Sequence, residues 1–507
     1  MKIRNIDCFD EIVSNNSDKI AVYHEHEKIT FADLQLKSKQ LGSKIFSECK
    51  SINKPIGVFL PKSIGAVLSD IAITYSGNIY MNIDVNLPVE RIVSIFNKIE
   101  PILIITNNKF ITKIQELNHN IQIVNIDQLD YDGNIDEKVL NDISKKIIDT
   151  DPYCIINTSG STGVPKGVVL NHRSFTDFEV WASETYNFDS NEIIGSLSPI
   201  FFDIYSFELW LLVTKGCTLV LIPESLAAFP INILKLLKEY SVTFIFWVPT
   251  IMVNISNMDL LSKINTDTLR LIWFAGEVFP TIHFNYWKRH LPNSVFANLY
   301  GPIEITLDCL YYTVNREFKD DEPLPIGYAC QNTDILILND EMKQVQVGEL
   351  GELYVRGTSL AMGYYNDPEK TQAAFVQNPL NRSYPELIYK TGDMVYENEV
   401  GEVMFKGRND TLIKHLGYRI ELSEIEYVVI NKLKLVDNAC VLYNKEKKEI
   451  VLIYEYSVDL EVADFRKSMS TILPSYMIPK QYFRVSSMPK NKNGKIDRLK
   501  LNEIYLT

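Results

Sequence analysis

Short, uninterrupted apolar runs alternate along the first half of the chain with stretches whose apolar residues recur at helical spacing. Ile56-Gly57-Val58-Phe59-Leu60 reads as a buried strand, Ile64 to Tyr75 as a helix and Asn78 to Ile83 as the next strand. Pro101 to Ile105 and Ile121 to Ile126 add two more buried strands. Ahead of them, Ala21-Val22-Tyr23 is strand-like, and Thr30 with Asp33 forms a capping box for a helix with apolar residues at 34, 41 and 45. The alternation predicts α/β layers built on parallel sheets. Gly348 to Gly357 reads differently, as a glycine turn followed by an antiparallel strand, and marks a β-rich subdomain over 325–405. Helical and strand-like pieces then run to Tyr456, and a further helix is expected near Ala463 to Ile472. The expected fold is therefore a large N-terminal α/β body, residues 1–409, with a small hinged α+β C-terminal domain, residues 410–507.

Composition narrows the classes. With 46% apolar and 23% charged residues, the 507-residue chain can bury several cores. A net charge of −13 argues against binding nucleic acid, whose phosphates need a positive surface. The charged amino terminus lacks the apolar segment of a secretory signal, and Leu209 to Val213, bracketed by Glu208 and Lys215, is a buried element rather than a membrane span. Seven scattered cysteines without a CxxC pair fit reduced thiols in a cytoplasmic protein, and the seven histidines form no zinc spacing.

The candidate chemistry centres on Asn157-Thr158-Ser159-Gly160-Ser161-Thr162-Gly163-Val164-Pro165-Lys166-Gly167, which lies between two apolar runs. Glycines let backbone N–H groups approach an anion, hydroxyls add donors, and Lys166 supplies a point charge. A Walker A loop is excluded. It needs glycine before its lysine, Ser or Thr after it and then a helix, whereas here Pro165 precedes Lys166 and the strand-like Val168-Val169-Leu170 follows.

This loop resembles that of the adenylate-forming superfamily of acyl-coenzyme A synthetases, luciferases and nonribosomal peptide synthetase adenylation domains. The resemblance runs in family order from the Gly77…Asp84…Pro88…Arg91 pattern to Lys495. It implies ATP and Mg²⁺ as cofactors. Asn298-Leu299-Tyr300-Gly301-Pro302-Ile303-Glu304 is similar to the adenine and magnesium segment: Tyr300 offers a stacking face, Asn298 meets the adenine amino edge, and Glu304 is a hard oxygen ligand for the metal. Ala275-Gly276-Glu277-Val278 resembles the adenine wall, and Asp393 and Arg408 the ribose contacts. Asp410 stands at the family's hinge position, and Lys495 at that of the lysine that reaches the substrate carboxylate and the α-phosphate. By the same resemblance the small domain rotates between half-reactions, presenting Lys495 in the first and Gly417-Tyr418-Arg419 in the second. Ile303 departs from the pattern, because the family usually has Thr there; Thr306 or Thr158 are the hydroxyls that could replace it.

Phe202-Asp203-Ile204-Tyr205-Ser206-Phe207 resembles the segment in which amino-acid-activating members pair an aspartate with the substrate ammonium. A buried carboxylate without a cation is costly, although a helix-capping role would also explain Asp203. The matching pocket positions are Ile204, Phe207, Phe246, Trp273, Ala275, Leu299, Leu307 and Asp308. Their bulk implies a small acid, of the size of serine or alanine. The expected activity is formation of an aminoacyl-AMP with release of pyrophosphate, then transfer to the phosphopantetheine thiol of a separate carrier protein, as in D-alanine:carrier-protein ligases. Two alternatives stay open: a coenzyme A ligase for a small carboxylic acid, and a catalytically weakened carrier-docking homologue.

Overall fold

The computed structural model describes residues 5–117, 121–130, 135–160, 164–408, 412–458, 460–490 and 496–506. The chain divides into two compact units. One comprises Met1–Val85, Pro101–Ile156 and Val168–Asn409; the other comprises Asn86–Glu100, Asn157–Gly167 and Asp410–Thr507. The second unit is thus not contiguous in sequence, because the phosphate-type loop and the helix Val89–Ile99 group with the C-terminal residues.

The first unit is built on three sheets. In a seven-stranded sheet, Pro55–Val58 pairs in parallel with both Ile79–Asn82 and Leu103–Thr106, and Leu103–Thr106 with Gln122–Asn125. Pro152–Thr158 and Lys166–Asn171, adjacent in this sheet, are the strands that the loop joins. Both Ile64–Tyr75 and Phe31–Cys49 are helices as expected, the latter capped by Thr30, whose Oγ1 accepts the Asp33 N–H at 3.1 Å. Strand ends differ from expectation by a residue or two. Pro101 cannot donate to a ladder, and the strand starts at Leu103.

A nine-stranded sheet carries the parallel strands Phe244–Trp247, Leu271–Phe274 and Val295–Tyr300 side by side. Alternation sorts their side chains onto two faces: Phe244, Phe246, Leu271 and Trp273 enter one core, and Ile245, Trp247, Ile272 and Phe274 the other. The third sheet is antiparallel. Thr333–Leu338, Gly351–Gly357, Phe375–Gln377, Leu387–Glu397 and Val403–Arg408 form the β-rich subdomain.

In the second unit, Asn438–Asn444, Glu449–Glu455 and Gln481–Val485 form a three-stranded sheet. Val441 and Leu452 face a core shared with Ile425 and Phe465, while Cys440 and Ile453 face another shared with Leu501. A separate hairpin, Leu412–His415 with Tyr418–Glu421, turns at Leu416-Gly417. All seven cysteines are free, and among the described residues no helix is long and apolar enough to cross a membrane.

Candidate active site

In the first unit, antiparallel pairing of Leu387–Glu397 with Val403–Arg408 sets Asp393 opposite Arg408. Arg408 Nη1 donates to Asp393 Oδ1 at 2.6 Å, and Nη2 donates to the Thr391 carbonyl at 2.9 Å. The Tyr300 hydroxyl donates to Asp393 Oδ2 from the end of Val295–Tyr300. Burial and the nearby carboxylate hold the phenol well above its ordinary value, so it remains a donor. Asn298 Nδ2 donates to the Pro325 carbonyl at 2.7 Å, which turns the amide oxygen into the acceptor that an adenine amino group needs. Gly276 has φ 90°, and Glu277 Oε2 accepts the backbone N–H of Thr250 at 2.9 Å as well as its hydroxyl, fixing the start of Pro249–Asn257.

Glu304 is fully buried, with its Oε1 accepting the Tyr364 hydroxyl at 2.8 Å and its carbonyl the Ala361 N–H at 2.9 Å. Among the described residues no group of three or more His, Cys, Asp or Glu could hold a metal. One carboxylate beside phosphate oxygens is nevertheless how Mg²⁺ is usually held, so Glu304 fits the ion. Gly301 is obligatory: a Cβ there would meet the Leu307 carbonyl oxygen at 2.2 Å and Asp308 Cα at 2.5 Å. This close approach folds the chain so that Thr306 and Leu307 take φ 52° and 69°, and for a β-branched threonine that is strained. Among the described residues the Thr306 hydroxyl is buried without a hydrogen-bond partner, and so is that of Thr158.

Seven of the expected pocket positions, Ile204, Phe207, Phe246, Trp273, Ala275, Leu299 and Leu307, belong to one buried cluster. Phe207, from the helix Asp203–Lys215, stacks on Trp273 with ring centroids 5.7 Å apart and planes 9° from parallel. Phe246, cross-strand neighbour of Trp273, meets it edge-on at 5.4 Å. Phe207, Phe246 and Trp273 are 0% exposed, Leu299 and Leu307 2%, Asp308 3%, Ala275 4% and Ile204 9%. Asp203 is partly buried at the first turn of its helix, where its Oδ1 accepts the Ile204 N–H at 2.9 Å and the helix dipole favours its charge.

In the second unit, Ser159 Oγ donates to the Arg419 carbonyl at 2.8 Å and accepts the Glu421 N–H at 3.1 Å. The Gly160 N–H donates to Glu424 Oε2 at 3.1 Å, and Lys166 Nζ pairs with Glu421 Oε1 at 2.7 Å. Arg91 pairs with Glu424 in turn. A Cβ on Gly160 would lie 2.1 Å from the Val164 carbonyl oxygen, so only glycine fits. Ser161, Thr162, Gly163, Asp410 and Lys495 lie outside the described residues.

Sequence reasoning missed Tyr364, Glu421 and Glu424. Tyr364 carries no local signal. The two glutamates follow the Gly417-Tyr418-Arg419 motif closely enough to have been suspected.

Similarity to known proteins identifies an adenylating enzyme. The AMP-binding enzyme family model matches residues 9–365, and the chain belongs to that family. It is 31% identical to the D-alanine--D-alanyl carrier protein ligase of Bacillus licheniformis, over 98% of this chain and 99% of that protein. It is 29% identical to Gramicidin S synthase 1 of Brevibacillus brevis over 98% of this chain, and spans 44% of that longer protein. The Vibrio cholerae adenylation domain AlmE, solved in complex with glycyl-adenosine-5'-phosphate, shares the fold at a TM-score of 0.85 and 19% identity, over 99% of this chain and 98% of that one. The protein is a ligase of the adenylate-forming type that uses ATP and Mg²⁺.

Proposed function

We propose that this enzyme activates a small amino acid as its aminoacyl-AMP and passes the acyl group to the phosphopantetheine thiol of a separate carrier protein. The observation that supports the reading is the stacked Phe207–Trp273 pair, met edge-on by Phe246, with all three side chains fully buried; in this reading they close the acid pocket to a long side chain, and Asp203 and Asp308 are its acidic groups. In this proposal Asp203 holds the substrate ammonium, because a carboxylate in the acid pocket would pair with the one cation that an amino-acid substrate brings. Tyr300, Asn298, Asp393 and Arg408 hold adenosine, and Ser159, Gly160 and Lys166 hold phosphate oxygens. When bound, Mg²⁺ on Glu304 supplies charge neutralisation at the phosphates.

In the first half-reaction a substrate carboxylate oxygen bonds to the α-phosphorus, the α–β anhydride breaks, and pyrophosphate leaves. Lys495 meets the charge that develops there. In the second, the carrier thiol attacks the acyl carbon and AMP departs. The resemblance to a D-alanine--D-alanyl carrier protein ligase and the glycyl adenylate bound by AlmE support a small acid and a carrier acceptor. The seven free cysteines agree with a reducing, cytoplasmic setting.

Pyrophosphate exchange over the standard L-amino acids and several D-amino acids tests the reading, with Asp203→Ala as its control. The best acid is expected to be serine or smaller, and the variant should cost it roughly 2–5 kcal/mol in kcat/KM while the des-amino acid loses little. Equal losses for both acids would make Asp203 structural. A preference for leucine, phenylalanine or lysine would overturn the pocket, and activity only with simple carboxylic acids and coenzyme A would replace the function.

A further inference from the structure

The helix Asp203–Lys215 begins without the usual cap. Phe202 stands at its N-cap position, and no side chain there accepts a first-turn N–H, the role that Ser, Thr, Asp or Asn ordinarily fills. Asp203 Oδ1 accepts the Ile204 N–H at 2.9 Å, so the carboxylate goes where the backbone of that first turn goes. The turn is fixed from the side. Asn82, at the end of the strand Ile79–Asn82, donates from Nδ2 to the Ile200 carbonyl at 3.1 Å, just ahead of Asp203. The Tyr205 hydroxyl, just beyond Asp203, donates to Asp70 Oδ2 at 2.8 Å.

The two tethers meet at one atom. Asn82 Nδ2 also donates to Asp70 Oδ2, at 3.0 Å, so a single carboxylate oxygen links the strand Ile79–Asn82, the helix Ile64–Tyr75 and the helix Asp203–Lys215. Asp70, Asn82, Ile200 and Tyr205 are all buried. Asp70 is the one charged residue in Ile64–Tyr75, and among the described residues its Oδ1 has no hydrogen-bond partner. A buried carboxylate with one oxygen unsatisfied is costly, and an apolar residue of similar volume is often at least as stabilising. What this group supplies is therefore placement rather than stability. Burial, and then the Asp70 carboxylate, hold the Tyr205 phenol well above its ordinary value, so its hydroxyl stays a donor.

We propose that Asp70, with Asn82 and Tyr205, positions the acid pocket: the three residues bracket the first turn of Asp203–Lys215 and set where the Asp203 carboxylate meets the substrate ammonium. They act through Asp203 and not on the reacting atoms. When the bracket slackens, Asp203 keeps its charge and loses its place, so binding suffers only for acids that carry an ammonium. The nucleotide contacts of Tyr300, Asp393 and Arg408 stand on other elements and keep their geometry. This role rests on Asp203 as the partner of the ammonium, the reading proposed above.

Pyrophosphate exchange by the full chain, with MgATP, the best amino acid and its des-amino analogue as competitor, tests the bracket. Tyr205→Phe removes only the hydroxyl, and Asn82→Ala removes the amide. Each should raise KM for the amino acid about three- to tenfold, the loss expected of one hydrogen bond, while KM for MgATP and the inhibition constant of the des-amino acid stay within about twofold. Added to Asp203→Ala, Tyr205→Phe should change nothing further, because the residue through which it acts is gone. Thermal unfolding checks that each variant folds, and if Asn82→Ala does not, Tyr205→Phe decides alone. An unchanged KM for the amino acid in Tyr205→Phe would overturn the proposal, as would an equal loss for both acids or a further loss on top of Asp203→Ala. A selective penalty from Asp203→Ala without one from Tyr205→Phe leaves the proposed function standing and removes only the role of Asp70. Equal losses for both acids in Asp203→Ala remove both.

Discussion

Asp308 follows two residues with positive φ, Thr306 at 52° and Leu307 at 69°, and is 3% exposed. Backbone strain of about 1–3 kcal/mol per such residue persists only where the surroundings enforce it, here through the contact of Leu307 and Asp308 with Gly301. The cost makes sense if the side chain that follows is aimed at a ligand. With serine as substrate, Asp308 is expected to accept its hydroxyl, and a site built to bond a hydroxyl rejects the analogue lacking it by about 10⁴. Asp308→Ala should therefore bring alanine level with serine in pyrophosphate exchange; a wild type that already prefers alanine would show that Asp308 serves something else. Asp308, Asp203 and the aromatic residues are expected in the pocket because each stands at a fixed offset in a motif. The coplanar stacking of Phe207 on Trp273 could not, since it joins a helix to a strand distant in sequence.

Among the elements, the hairpin Leu412–His415 with Tyr418–Glu421 has the sharpest local conflict. Its two-residue turn needs positive φ at both positions, which Gly417 supplies at 84° and Leu416 adopts at 53°. An L-residue other than glycine or asparagine in this region costs about 1–2 kcal/mol, and Leu416 is 48% exposed, so its side chain recovers little by packing. Leu416→Asn is expected to stabilise the second unit by about 0.5–1 kcal/mol, read as a higher midpoint in thermal unfolding. An unchanged or lower midpoint would mean that the Leu416 side chain contributes packing at least equal to the strain. The helix Ile64–Tyr75 was legible to its ends because Ser63 caps it and accepts the Ala66 N–H at 3.3 Å. Strand ends were less so, because a strand stops where its neighbour stops, and the neighbour is chosen by the sheet rather than by local sequence.

At the scale of the molecule, buried ionisable groups in the first unit set the pH response. Asp70 is 0% exposed, accepts from Asn82 Nδ2 at 3.0 Å and from the Tyr205 hydroxyl at 2.8 Å, and is nonetheless raised by burial from 3.8 to about 7. A carboxyl with a raised folded value contributes stability that is complete below its unfolded value and is lost as pH climbs through about 7. Stability should thus fall between pH 5 and pH 7 with a slope of up to about 1.4 kcal/mol per unit from this group. Urea unfolding of Asp70→Asn should flatten part of that slope; part will remain, because burial also raises Glu208 to about 7. An identical pH profile for the variant would show that Asp70 is already ionised in the folded protein.

The sequence by itself determined the α/β class and the order of motifs, because periodicity, turn chemistry and motif spacing are local properties of the chain. Tertiary structure alone decided that Asn86–Glu100 and Asn157–Gly167 group with the C-terminal residues, that Tyr300 and Arg408 share the Asp393 carboxylate, that Tyr364 holds Glu304, and that Glu421 and Glu424 engage the loop. The physical reason is common to all four. Each joins residues far apart in the chain, and such pairings are selected by the packing of whole sheets and helices, which no local pattern encodes.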